Sequence, residues 1–414
     1  MTLFQIAAIF LGLVGAAGWV NARFLHWPSA TAMVLAGTLN AGLLMLFVRV
    51  FPGAGGAELV QAISGVDFPQ AVLGYLLAFL LFAGAMQVDL AELRRRRLSI
   101  WSLATLGVLA STLIVGAGLW LAAHLLGLRL SLPWAFVFGA LISPTDPIAV
   151  LAAVRRGRLS KLLEVVLQGE ALFNDGVGIV VFTAALAVAV GGGVQPLHAI
   201  SAVAIQALGG LALGIASGWL MIRVLRAIDD YAVEVALSLA LATGVYAVAQ
   251  AIGVSGPISV VAAGLLIGDQ GLKTAMSETT RRYVRGFWTL VDEILNALLF
   301  MLLGLELLVI PFNLRLAGLW AAAVVLVLAA RFAVVLPWGA YFQFRRKERY
   351  AGLVLGWGGL HGALSLALAL SVPRSDTQPL ILSTTYAVVI FSIVAQGLTF
   401  GRVADWHAAG REPS

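Results

Sequence analysis

Two carboxylates stand where a strongly apolar sequence would be expected to carry none. Asp175 lies in a nearly uncharged run from Leu162 to Val190, and Asp146 sits between Pro144 and Pro147 in the apolar segment before it. A charge at bilayer depth is costly, so two acids in adjoining segments point to a path for ions or protons rather than to packing. In the run GEALFNDGVGIV, Glu170 and Asn174 are four residues apart and share a helix face, as do Ala171 and Asp175. Asn174 and Asp175 are neighbours about 100° apart, so Glu170, Asn174 and Asp175 cover one polar sector that can face Asp146 across a helix pair. Hard oxygen ligands of this kind suit an alkali cation. Two carboxylates in a low-dielectric site take a cation or a proton but resist being empty, and alternating access turns that competition into exchange. The competing reading is an internal hydrogen-bond network with no ion, for which Asp146 has no evident basic partner nearby in sequence.

Two interrupted segments would have to position these groups. FGALISPTDPIAVLAAV places Pro144 and Pro147 around Thr145 and Asp146. Each proline removes a backbone donor and disfavours helix at the residue before it, so Ser143 and Asp146 are expected in extended or broken backbone. Such a break survives in hydrocarbon only where protein or a water-filled cavity satisfies the freed groups; a plain proline kink with an incidental polar pair leaves the acid unexplained. GLVLGWGGLHGALSLALAL is the second interrupted segment, with Gly356, Gly358, Gly359 and Gly362 crowded around His361. Three roles stay open for His361: a hydrogen bond to a carboxylate, titration as part of the site, or satisfaction of a helix carbonyl. The two segments hold corresponding places in the two halves of the chain, the pattern of inverted repeats whose broken helices meet at the midplane.

The composition requires a membrane. Of 414 residues, 61% are hydrophobic and 11% charged, with a mean hydropathy of +0.99. The fold class is therefore an all-α polytopic membrane protein. Thirteen spans are expected: 3–20, 29–50, 68–88, 98–126, 133–153, 163–190, 197–222, 231–250, 254–268, 286–309, 315–340, 350–371 and 378–401. Of the 26 Lys and Arg residues, 21 follow odd-numbered spans, in clusters such as Arg94–Arg97 and Arg345–Arg349. The positive-inside rule then puts the N-terminus outside and the C-terminus in the cytoplasm. These clusters read as topology signals, so the net charge of +6 does not imply nucleic acid. The first apolar stretch lacks a basic leader region and a small-residue cleavage site and is expected to stay as a helix. Without cysteine there are no disulfides or thiolate metal sites. No nucleophile–base or His/acid metal motif is visible, so an enzyme is not expected, and neither is a cofactor.

Five motifs together resemble the monovalent cation/proton antiporters of the CPA1 type, the prokaryotic NhaP-like sodium/proton antiporters. They are SPTDPIAV at 143–150, GEALFNDGVGI at 169–179, SGPISVVAAGLLIG at 255–268, FWTLVDEILNALLFMLLGLEL at 287–307 and GGLHGALSLALALSVP at 358–373. The resemblance implies the thirteen-helix sodium/proton antiporter fold, a homodimer, and a core that moves like an elevator against a dimerisation scaffold. The core would include about 98–190 and 315–401 of a single membrane unit, 1–404, with 405–414 as a short cytoplasmic tail. It also implies that Asp175 and Asp146 hold the cation with oxygens at Thr145 and Glu170, that Asn174 organises the site, and that exchange is electroneutral.

Three departures from the resemblance bear on mechanism. Ala171 stands where many relatives have a serine, and it offers no ligand oxygen. His361 replaces a usual arginine, and Ala83 replaces a frequent acid; the two changes look coupled as the empty places of a buried ion pair. Arg331, inside the eleventh span, is expected to meet a lipid phosphate or an acid near the interface. The expected function is exchange of Na+ or Li+ for H+ across the plasma membrane of a prokaryote. The alternatives are K+/H+ exchange, suggested by Ala171, a passive channel, or a non-transporting sensor on the same fold. Monovalent cations, protons and membrane lipids are the expected partners.

Overall fold

The computed structural model describes residues 3–51, 60, 65, 67–146, 159–191, 196–308, 310 and 313–410. Fourteen helices carry the argument. In chain order they are α1 (Leu3–Val20), α2 (Ser29–Val50), α3 (Leu77–Gln87), α4 (Arg97–Leu125), α5 (Leu132–Ile142), α6 (Lys161–Gly191) and α7 (Pro196–Leu225). There follow α8 (Tyr231–Ala251), α9 (Gly256–Leu266), α10 (Glu278–Leu305), α11 (Ala317–Arg346), α12 (Ala351–Trp357), α13 (Ala363–Leu370) and α14 (Gln378–Ala409).

Local chemistry sets many of their ends. Asp230 caps α8 by accepting from the Ala232 and Val233 amides at 2.9 and 3.2 Å. Ser255 caps α9 ahead of Pro257, and Ser277 caps α10. α5 stops at Ile142 because Pro144, two residues on, has no amide to continue the ladder.

Eight helices among the described residues are long and apolar enough to cross a membrane, not thirteen. Each of the other five expected spans departs for a local reason. Segment 68–88 divides into a π-helical stretch, Gln70–Leu76, and the short α3. Segment 133–153 ends as helix at Ile142, with 147–153 outside the described residues, and 254–268 gives an α9 of only 11 residues. Segment 286–309 falls mostly in α10, which is long enough but carries Asp292 and Glu293 within the segment and ends at Leu305 before a short 3-10 turn. Segment 350–371 is cut into α12 and α13 by Gly358–Gly362.

The helices pack in two sets. α2 lies along α10, and α3 packs on α9 and α10, with α7 and α8 against α9. In the other set, α5 packs between α4 and α6, and α11 packs on α4, α12 and α14. The interrupted segments belong to this second set, and the polar residues gather where it meets α3 and α10.

Candidate ion-exchange site

The two breaks cross each other. The amide of Asp146 donates to the carbonyl of Leu360 at 2.7 Å, a single antiparallel bridge pair joining the unwound ends of α5 and α12. Each break thereby satisfies one polar group that the other leaves without a helical partner. The crossing is tight enough to need glycine: a Cβ at Gly362 would run into the Asp146 carboxylate, and one at Gly359 into the Arg331 guanidinium. Asp146 is extended as expected, but Ser143 is not. It keeps helical angles (φ −69°, ψ −34°), and its hydroxyl donates to the Gly139 carbonyl at 2.6 Å and lies 3.0 Å from Thr112 Oγ1. Those contacts outweigh the steric bias imposed by Pro144 and move the break to Pro144–Asp146. Pro147, the second proline of the motif, lies outside the described residues, as do Arg155, Arg156 and Arg158.

α6 brings its polar sector to this crossing. Asn174, 1% exposed, donates through Nδ2 to Thr145 Oγ1 at 2.8 Å, which ties the helix to the break. Its Oδ1 is buried with no hydrogen-bond partner among the described residues. Asp175 and Asp146 are both half-buried and line one cavity of about 320 Å³ together with Thr145 and Ala171. Gln87 of α3 with Asp292 and Asn296 of α10 form the facing wall. Asp292 accepts from Asn296 Nδ2 at 2.9 Å and from Gln87 Nε2 at 3.4 Å. On the α6 side the cavity also reaches Glu164 and Gln168, so it extends from the acid pair toward the helix end that carries Lys161.

Glu170 turns away from that cavity. Both of its oxygens are taken by Arg331 of α11, through Nη1 and through Nη2, the latter at 3.0 Å. The two side chains are 2% and 8% exposed. Arg331 also donates to the Leu355 carbonyl of α12 from Nε at 3.1 Å and from Nη2 at 2.9 Å. One guanidinium therefore fastens α6 to the end of the interrupted α12. The position of Arg331 corrects the interfacial place expected for it. Arg331 comes from α11, lines a small cavity with His361 and Glu170, and pairs with the acid at 170. An arginine in the apolar middle of α11 and a glutamate in the apolar part of α6 were the available signal, since each needs a buried partner.

Of the three roles open to His361, its ring makes the contact with a backbone carbonyl. Nδ1 lies 3.1 Å from the Pro144 oxygen, which can only accept, so Nδ1 carries the proton. Its backbone amide donates to Ser392 Oγ at 2.9 Å, Ser392 donates to Gln396 Oε1 at 2.7 Å, and Gln396 Nε2 reaches the Trp357 carbonyl at 3.2 Å. Ser392 and Gln396 belong to a π-helical turn of α14 and brace the break from behind. Neither residue is conspicuous in the sequence, because an isolated Ser or Gln in an apolar helix carries no spacing signal.

Paired acids facing one cavity at the crossing of two unwound membrane helices define a secondary transporter of monovalent cations. The sequence profile described as sodium/hydrogen exchanger, transmembrane, matches residues 7–406. The chain belongs to that family, within its NhaP-like branch. It is 41% identical to the Na(+)/H(+) antiporter NhaP of Pseudomonas aeruginosa, over 99% of this chain and 98% of that protein. To the Na(+)/H(+) antiporter NhaH of Halobacillus aidingensis it is 36% identical, over 91% of each. The fold matches that of the sodium proton antiporter MjNhaP1 from Methanocaldococcus jannaschii with a TM-score of 0.75, at 20% identity and across 100% of both chains.

Proposed function

We propose that this protein is a secondary active antiporter that exchanges cytoplasmic Na+ or Li+ for external H+ across the plasma membrane of a prokaryote. The observation that carries the reading is the shared cavity of Asp146 and Asp175 at the helix crossing. The two carboxylates and Thr145 would hold the cation, with Asn174 setting their geometry. Glu170, assigned to the cation shell from the resemblance, is better read as a scaffold acting through Arg331, and His361 as a support for the break. The Asn174–Asp175 pattern of the resemblance supports electroneutral, one-for-one exchange.

Exchange also needs the site to face each side in turn. The proposed moving core is 98–190 with 315–401, and the remaining helices form the scaffold and the homodimer contact of a CPA1-type exchanger. All thirteen segments then cross the membrane, with the N-terminus outside and the C-terminus in the cytoplasm. In this orientation the cavity extends toward the cytoplasm. A second reading, K+/H+ exchange, draws on Ala171, which lines the cavity without an oxygen and so suits a less demanding cation.

Proteoliposomes with an imposed pH gradient test both readings. Proton release is expected on adding sodium or lithium, unchanged by clamping the membrane potential and absent in D175N. A response to potassium alone would select the second reading. Cation flux without proton movement would indicate a channel, and no response to any of the three ions would indicate a fold that no longer transports.

A further inference from the structure

Ser365 carries a buried hydroxyl that the helix around it does not use. The residue is 1% exposed and lies in the first turn of α13, immediately beyond the second break. It lines the cavity shared by Asp146 and Asp175. Its side chain makes no hydrogen bond to any described residue. Hydroxyls in apolar helices commonly bond back to the carbonyl four residues earlier. Thr112, Ser259 and Thr385 do so, donating to Val108, Ser255 and Ile381 at 2.8, 2.7 and 2.8 Å. For Ser365 that carbonyl is the one of His361, which belongs to the break and not to the helix. Gly362 between them is extended, at φ −123° and ψ −157°. The interruption that forms the crossing therefore also leaves this hydroxyl unspent.

Its place on α13 sets it beside the acids. Gly362 is the N-cap of α13, and Ser365, three residues on, shares its face. The Asp146 carboxylate lies so close to Gly362 that a Cβ there would run into it. Ser365 is thus one helical turn from one carboxylate and on the wall of the cavity that the other also lines. Gly362, Ala363 and Leu364 complete the α13 wall without a side-chain oxygen, and Ala171 of α6 offers none either.

We propose that Ser365 is a further ligand of the transported cation, its hydroxyl oxygen making up for the one missing at Ala171. The proposal rests on the antiporter reading and deepens it, because it favours a small, hard cation, Na+ or Li+, over K+. A serine hydroxyl has one proton and two lone pairs, so Oγ can face the cation while its hydrogen turns toward Asp146. Sodium gathers its oxygens more closely than potassium and loses more when one is withdrawn. With Ser365 in the shell, the alanine at 171 no longer implies a less demanding ion.

Sodium and potassium binding to the purified full-length protein, measured by calorimetry at alkaline pH where protons compete least, tests this. S365A is expected to weaken sodium binding about tenfold, the effect of losing one contact to a charged group, and potassium binding by less. A171S/S365A should regain most of the sodium affinity. S365C keeps the side-chain volume but presents a soft sulfur, so it should lose sodium affinity as S365A does. Wild-type sodium affinity in S365A would overturn the proposal. Wild-type affinity in S365C would also overturn it and make Ser365 a packing residue only; this variant decides alone if S365A does not fold. A double variant no better than S365A would overturn the replacement of one oxygen by the other. Wild type that binds sodium without exchanging it for protons would end the antiporter reading and leave the ligand test intact, whereas wild type that binds no sodium would overturn both.

Discussion

Replacing Arg331 by methionine should destabilise the protein far more than replacing Arg331 and Glu170 together. The single change leaves the Glu170 carboxylate, 2% exposed, without its bidentate partner, and stranding a buried charge costs about 3–5 kcal/mol. It also removes both donors from the Leu355 carbonyl, a further loss of about 1–3 kcal/mol. E170M strands the guanidinium instead, although the Leu355 carbonyl still accepts from it. In E170M/R331M no buried charge is left, so only the carbonyl loss of about 1–3 kcal/mol should remain. The assay is reversible unfolding by anionic detergent from mixed micelles, with the four proteins compared as a double-mutant cycle. The double variant is expected to be more stable than either single one. A double variant less stable than both would refute the claim that the pair acts as one unit holding α6 to α12.

The remaining predictions concern transport. D146N and D175N should each abolish sodium-dependent proton flux in correctly inserted protein, and wild-type flux in either would remove that acid from the site. Gly362→Ala pushes a methyl group against the Asp146 carboxylate; displacing a ligand by about 1 Å should cost on the order of 100-fold in exchange rate, measured in proteoliposomes. His361→Arg puts a second guanidinium beside Arg331 and should lose transport or folding, and adding A83E should not restore it; rescue by A83E would revive a coupling between positions 83 and 361. A171S sets a hydroxyl on the cavity wall and should raise the ratio of sodium-driven to potassium-driven proton flux, which an unchanged ratio would contradict.

Much of the candidate site's arrangement was legible because burying charge is so unfavourable. Asp146, Asp175, Glu170 and Asn174 stood out as polar groups in apolar segments, and the prolines at 144 and 147 and the glycines at 356–362 located both interruptions. Partners joined only by tertiary packing were not legible. Nothing local distinguishes an Arg331 that reaches a headgroup from one that reaches Glu170, 161 positions away. Ser392 and Gln396 stayed hidden because serine and glutamine satisfy their own helix as readily as a neighbouring break. Only eight of the thirteen expected spans are long apolar helices among the described residues, for a different reason. Hydropathy registers apolar length, whereas α3, α5, α9, α12 and α13 are cut short by backbone irregularity, and α10 is long but charged. Ser143 shows the limit of the proline rule, since a hydroxyl bonded to the Gly139 carbonyl kept it helical.

The central claim is that one pair of carboxylates holds either a sodium ion or a proton. Sodium binding to the purified protein, measured by calorimetry across a series of pH values, tests this most directly. Competition by one proton predicts that the apparent dissociation constant rises about tenfold for each unit of acidification below the titration of the pair, and that D175N binds no sodium at any pH. Sodium affinity that stays constant with pH, or binding that survives in D175N, would contradict it.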